Sequence, residues 1–162
     1  MVKIALEIVA TLENVSEIRT CGDDFRWFMK LRCNSCGEVS ATWQYVCVAE
    51  STDTKGGRGS ASMVQKCKMC SRENRLDIVE DKVGTYKADN DGQYVEILVL
   101  DCRGIEPVEF DFRSGWTVSS ADSNLVFEDV DFAEKEWYDY DSNVNQSVSV
   151  TELEYRFTKI KK

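Results

Sequence analysis

Phe25-Arg26-Trp27-Phe28-Met29-Lys30-Leu31-Arg32-Cys33-Asn34-Ser35-Cys36-Gly37 is the stretch whose reading decides the fold. Phe25, Trp27, Met29 and Leu31 fall on one face and Arg26, Phe28, Lys30 and Arg32 on the other, the period of two that marks a half-buried strand. The strand runs straight into two cysteines three positions apart and then a glycine. Two thiolates at that spacing reach one ion only if the backbone turns tightly between them. Gly37 permits the positive φ that such a knuckle commonly needs.

A second pair of the same spacing, Cys67-Lys68-Met69-Cys70, lies downstream. Two facing knuckles supply four sulfurs for a tetrahedral ion, a set that suits Zn2+. Iron is accepted by four thiolates as well. The intervening chain has room for strands at Val39–Val48 and Ser62–Lys66 and a Gly-rich excursion, Lys55–Ser60. Lys66, Lys68 and Arg72 would offset the charge of a four-thiolate zinc centre. A redox dithiol is the rival reading, although it needs only one pair with a lowered thiol pKa. A closed four-thiolate site has no open position, activates no water and works by holding the chain together. The chain contains no histidine, which removes the commonest general base. No catalytic residue and no organic cofactor site is expected.

The period of two recurs along the chain. It appears in Ile4, Leu6 and Ile8, in Val95–Leu100, in Phe110–Phe112 and in Val148–Tyr155. Turn clusters such as Asp89-Asn90-Asp91-Gly92 separate the runs. The expectation is a mostly β protein. Phe25–Cys33 and Tyr94–Cys102 also resemble each other, each an apolar run ending in cysteine and followed by a glycine turn, at Gly37 and at Gly104. The repeat predicts two similar β-sandwich or barrel-like halves, 1–85 and 86–162, packed as one unit with the four-cysteine zinc site in the first.

Seven cysteines without a recognisable export signal predict a reducing compartment, cytoplasmic or nuclear. No apolar run is long enough to span a membrane. The single cysteines Cys21, Cys47 and Cys102 are expected as small core residues. A net charge of −9 argues against a nucleic-acid or membrane-surface protein. The charge is uneven: residues 55–75 carry six basic side chains and Glu73, a balance of +5, whereas residues 121–141 carry eight acids and Lys135, a balance of −7. The two segments either complement each other within the fold or one of them docks a partner. The run Lys55–Ser62 lacks a phosphate-loop signature and predicts a loop. Glu134–Asp141 predicts a strand edge anchored by Trp137, with an exposed docking segment as the other reading.

With these residues in view the chain resembles the eukaryotic CXXC-motif-containing zinc-binding protein family. The resemblance is carried by Asp24–Trp27, Cys33–Glu38, Trp43–Tyr45, the block Lys55–Cys70, Arg72–Asn74, Cys102–Gly104, Glu106–Val108 and Trp137–Asp141. It implies zinc bound by Cys33, Cys36, Cys67 and Cys70 in a β-rich fold of two similar halves, and no established reaction. The resulting expectation is a non-enzymatic zinc-binding protein with a structural four-cysteine site that acts through protein–protein contact. Thiol-based handling of zinc or copper is the alternative. A thiol oxidoreductase and nucleic-acid binding through Lys55–Arg75 rank lower.

Overall fold

The computed structural model describes residues 2–49, 52–53, 60–61, 63–79 and 82–160; the centre of the predicted Gly-rich excursion, with Lys55 and Arg58, lies outside them. Among the described residues the fold is built almost wholly from strands, with a short 3-10 turn at Ala88–Asn90. They are β1 Val2–Glu13, β2 Val15–Thr20, β3 Trp27–Cys33, β4 Gln44–Val46, β5 Thr52–Asp53, β6 Ser60–Ala61, β7 Met63–Lys66 and β8 Glu73–Ile78. There follow β9 Tyr86–Lys87, β10 Val95–Arg103, β11 Ile105–Asp111, β12 Trp116–Ser120, β13 Val126–Val130, β14 Trp137–Asp141 and β15 Gln146–Lys159.

Three larger sheets result, ordered β14-β15-β1-β10-β8-β7, β11-β3-β4 and β13-β12-β2-β9, and β5 pairs with β6. Strands from 1–85 and from 86–162 contribute to each of the three. The sheets are joined at corners where a strand changes partner. Asn14, at φ 56°, carries the chain from β1 into β2 and thus between sheets. Gly104, at φ 78°, does the same between β10 and β11. Glycine is required there twice over, because a Cβ at 104 would lie 2.4 Å from Asn74 Oδ1. One continuous core fills the interior, with Leu6, Ile8, Leu98, Leu100, Val148 and Val150 of the long sheet packed together with Trp27, Met29, Leu31, Trp116 and Val118 of the others.

Both repeated strands form: β3 ends in Cys33, β10 carries Cys102, and the glycines of the following turns take positive φ. The predicted alternation of Phe25, Trp27, Met29 and Leu31 is observed, all four being buried. Other expectations need correction. Of Val39–Val48 only Gln44–Val46 is a strand, preceded by a single bridge from Val39 to Arg32. In β15 the strict alternation breaks after Val150. Glu152 takes φ 52°, and the next buried residue is Leu153, a bulge that shifts the inward face by one. Cys47 and Cys102 are buried as expected, but Cys21 is exposed, in the loop after β2.

The two charged segments are also placed. β7, within the basic segment, and β14, within the acidic one, occupy opposite edges of the six-stranded sheet. Five strand spacings of about 4.8 Å put them about 24 Å apart along the sheet, roughly three Debye lengths at physiological salt. Among the described residues, the two edge strands do not pair with each other. Trp137 anchors β14 against Phe127, with ring centroids 5.0 Å apart, while Tyr138 and Tyr140 remain exposed.

Where β14 ends, the fully buried Asp141 carboxylate accepts hydrogen bonds from Ser120 Oγ at 2.5 Å, Ser123 Oγ at 2.6 Å and the Asn143 N–H at 2.9 Å. The Ser120 and Ser123 hydroxyls, ahead of backbone N–H groups, hold its pKa below the usual carboxylate value. A depressed folded-state pKa adds stability that is complete above the unfolded value and is lost as pH falls through the folded one. In urea unfolding, Asp141→Asn is therefore expected to lower the midpoint at pH 7. The gap to wild type should shrink at a pH below the ordinary carboxylate value of about 3.9. A constant gap at both pH values would refute this role.

Candidate metal centre

The two Cys-x-x-Cys turns have the same backbone plan. In the first, the Cys33 N–H donates to Glu38 O at 2.9 Å and the Gly37 N–H returns to Cys33 O at 2.8 Å. In the second, the Cys67 N–H donates to Arg72 O and the Ser71 N–H returns to Cys67 O, both at 2.8 Å. The residue after each second cysteine takes positive φ, Gly37 at 80° and Ser71 at 64°. Sequence reasoning found the glycine and missed its serine counterpart, since Ser71 adopts the conformation at a steric cost. β3 delivers the first knuckle; β7 and β8 flank the second. The knuckles thus belong to different sheets and meet through their sulfurs.

All four predicted residues, Cys33, Cys36, Cys67 and Cys70, are brought together, their sulfurs lying within 4.8 Å of one another. Cys33 Sγ and Cys70 Sγ are 3.7 Å apart, and Cys36 Sγ and Cys67 Sγ are 3.6 Å apart. These separations are far beyond the roughly 2.0 Å of a disulfide. A tetrahedron with metal–sulfur bonds of about 2.3 Å has an edge of about 3.8 Å, so the donor set fits a tetrahedral ion.

The four thiols differ. Cys33 and Cys67 are buried; Cys36 and Cys70 are exposed. The Asn74 side chain, with the backbone N–H groups of Cys36 and Ser35, hydrogen-bonds the Cys33 thiolate and lowers its pKa to about 6. Backbone N–H groups of Cys70 and Met69 lower that of Cys67. For Cys36 the Glu38 N–H favours the thiolate, but desolvation and the Cys67, Cys70 and Cys33 sulfurs outweigh it and push the pKa up to about 12. Sulfurs this close cannot all ionise by themselves, because each new charge repels the others; a cation is what lets them.

Asn74 went unnoticed as part of the site. It is buried at the start of β8, and its Nδ2 donates to Cys33 Sγ at 3.4 Å. Spacing cannot reveal a contact that crosses 41 residues of chain. The available sign was Gly104, whose missing side chain makes room for the Asn74 amide.

Fold and site together define a β protein whose sheets meet at a cluster of four cysteine sulfurs. Residues 5–158 match the family described as CXXC motif containing zinc binding protein, eukaryotic, and the chain belongs to that family. The protein of that name from Mus musculus is 46% identical over 98% of this chain and 99% of its own length. A UPF0587 protein of Nematostella vectensis is 44% identical over 99% of this chain and all of its own. The crystal structure of C1orf123 superposes with a TM-score of 0.93 at 44% identity, covering 98% of this chain and 99% of that one. A hypothetical protein from Plasmodium falciparum shares the fold, with a TM-score of 0.89 at 21% identity, over 98% of this chain and all of that one. Among the described residues no helix is long and apolar enough to cross a membrane.

Proposed function

We propose that Cys33, Cys36, Cys67 and Cys70 hold one Zn2+ as a structural ion, and that the protein acts without catalysis, through contacts with other proteins in a reducing compartment. The observation that carries the metal reading is the pair of sulfur separations, 3.6 and 3.7 Å, beside a tetrahedral edge of about 3.8 Å. With four thiolates bound the ion has no open position, so its work is mechanical: it joins the end of β3 to the β7–β8 turn. The protein-contact reading is supported by the absence of histidine and by acidic and basic segments whose edge strands lie at opposite ends of one sheet. Elemental analysis of purified wild-type protein should find one zinc per chain and none in a Cys67→Ser variant. A wild-type protein free of zinc would overturn the metal reading.

One observation favours metal transfer as a second reading: Cys36 and Cys70 are exposed, so one edge of the tetrahedron faces solvent. Competition with a chromophoric chelator separates the two. A structural ion leaves only as the protein unfolds, whereas an exchanged ion leaves faster than unfolding.

The same assay tests Asn74. Asn74→Ala removes the N–H···S bond without overfilling the site, and should weaken zinc binding by about 10- to 100-fold. Unchanged affinity would reduce Asn74 to packing.

A further inference from the structure

Beside the metal centre lies a cleft of about 430 Å³. Its floor contains the core residues Leu31 and Ile105 together with the buried pair Cys33 and Cys67. On its rim two apolar side chains stand in solvent from opposite walls, Val39 at 40% and Met69 at 69% exposure. Val39 follows the first knuckle, and Met69 lies inside the second. Lys66 and Lys68 line the Met69 wall, and Glu38 lines the other.

We propose that this cleft is the docking groove for an extended acidic segment of a partner protein, which places an apolar side chain between Val39 and Met69 and its carboxylates on Lys66 and Lys68. The proposal rests on the reading that the protein works by contact, and it names the surface and the partner's chemistry.

Two observations choose this occupant. Met69 and Val39, exposed to 69% and 40%, flank a cleft with an apolar floor, so an apolar side chain seated there would cover both. The charge next to it is basic: Arg72 and Arg75 follow Lys66 and Lys68 in the sequence. Among the described residues neither lysine takes part in an ion pair. The chain's own acidic strand β14 lies at the far edge of the sheet, and the acids nearer by, Glu38 on the opposite wall and Glu73 across from Lys66 in the β7–β8 register, are outnumbered by Lys66, Lys68, Arg72 and Arg75, so this stretch keeps a basic balance for a partner's carboxylates. A basic segment would meet like charge here, and a wholly acidic one would leave the apolar rim unused.

The groove's two walls also come from different sheets, and the cysteine cluster and the Asn74–Cys33 hydrogen bond reach from one to the other. The ion that closes the cluster therefore sets the width of the groove. Docking should depend on the metal although the partner never touches it.

The test uses full-length protein and a short fluorescein-labelled peptide that alternates aspartate with leucine, beside a counterpart with lysine for aspartate. Fluorescence anisotropy should show the aspartate peptide binding at least about tenfold more tightly than the lysine peptide, with affinity falling as salt rises. The pair Lys66→Glu and Lys68→Glu should abolish that preference. Val39→Asp, on the opposite wall and outside the second knuckle, should weaken binding about tenfold with no charge removed from the lysines. Elemental analysis and a melting curve accompany every variant, so that a lost fold is not read as a lost surface. Variants that keep zinc and the wild-type melt yet bind unchanged overturn the groove, as does equal binding of the two peptides. One zinc per chain with no peptide binding overturns the groove and leaves the structural ion standing. Zinc-free protein that still prefers the aspartate peptide overturns the metal control and leaves the groove.

Discussion

Replacing Cys67 with serine is expected to yield a chain that retains no zinc and has lost the cooperative melting transition of the wild type. Cys67 is 7% exposed, its N–H and C=O close the second knuckle, and its sulfur is 3.6 Å from that of Cys36 on the other knuckle. A serine hydroxyl in its place is a poor ligand, and three thiolates packed together without their ion repel one another. Structural zinc in small modules binds with about 10–16 kcal/mol, against a total stability of about 5–15 kcal/mol for a domain. Loss of the ion is therefore comparable to the whole margin of stability. The damage should begin in the three-stranded sheet and the β7–β8 pair, which the cluster joins, whereas β1, β10 and β15 hold each other through long registers. Near-ultraviolet circular dichroism and elemental analysis read the two effects separately. Cys21→Ser is the matched control, because that thiol is exposed and outside the cluster, and it should change stability by less than about 0.5 kcal/mol. A Cys67→Ser protein with full zinc content and an unchanged melt would mean that the sulfurs do not share an ion.

The site was legible because its chemistry is local. A Cys-x-x-Cys pair followed by a residue that can take positive φ announces its own turn, and two such pairs announce each other. Strand faces were legible wherever one side of a strand is buried, as in Phe25 to Leu31. What sequence could not supply was anything that depends on which strand lies beside which. The change of parity from Val148 and Val150 to Leu153 and Tyr155 stands in the sequence, but only the pairing of β15 with β1 shows it to be a bulge at Glu152. β4 pairs with Trp27–Met29 alone although β3 continues to Cys33, and nothing within Val39–Val48 encodes that limit. Cys21 read as a core residue by composition, yet the chain has already left β2 when it reaches that position. The separation of acidic and basic segments likewise appears only in the order of strands, and it turns a local count of charges into a statement about partners.

The other large effect belongs to Trp116, and Trp116→Ala is expected to cost about 3–5 kcal/mol. The indole is 1% exposed, and its Nε1–H donates to Phe112 O at 2.8 Å. Its ring centroid is 5.0 Å from that of Phe25, 5.5 Å from Phe132, 5.9 Å from Phe112 and 6.1 Å from Trp27. Trp27 lies on β3 and Trp116 opens β12, while Phe112 stacks in turn against Tyr155 of β15, 6.2 Å away. One side chain thus packs where all three larger sheets converge. Truncation removes apolar area, leaves a cavity that these rings cannot close without moving, and strips the Phe112 carbonyl of its donor. Trp116→Phe restores part of the packing but not the hydrogen bond, so its cost should fall between wild type and alanine. Urea unfolding followed by far-ultraviolet circular dichroism is the suitable measurement, since tryptophan fluorescence loses one of its four reporters in the variant. Zinc content gives the contrast with Cys67→Ser: below its lowered transition, Trp116→Ala should still carry one zinc per chain, because none of its ring contacts is to the cluster. A cost under about 1 kcal/mol would show that the sheets are held apart from this aromatic junction. Zinc loss from the folded variant would show instead that the knuckles depend on it for their alignment.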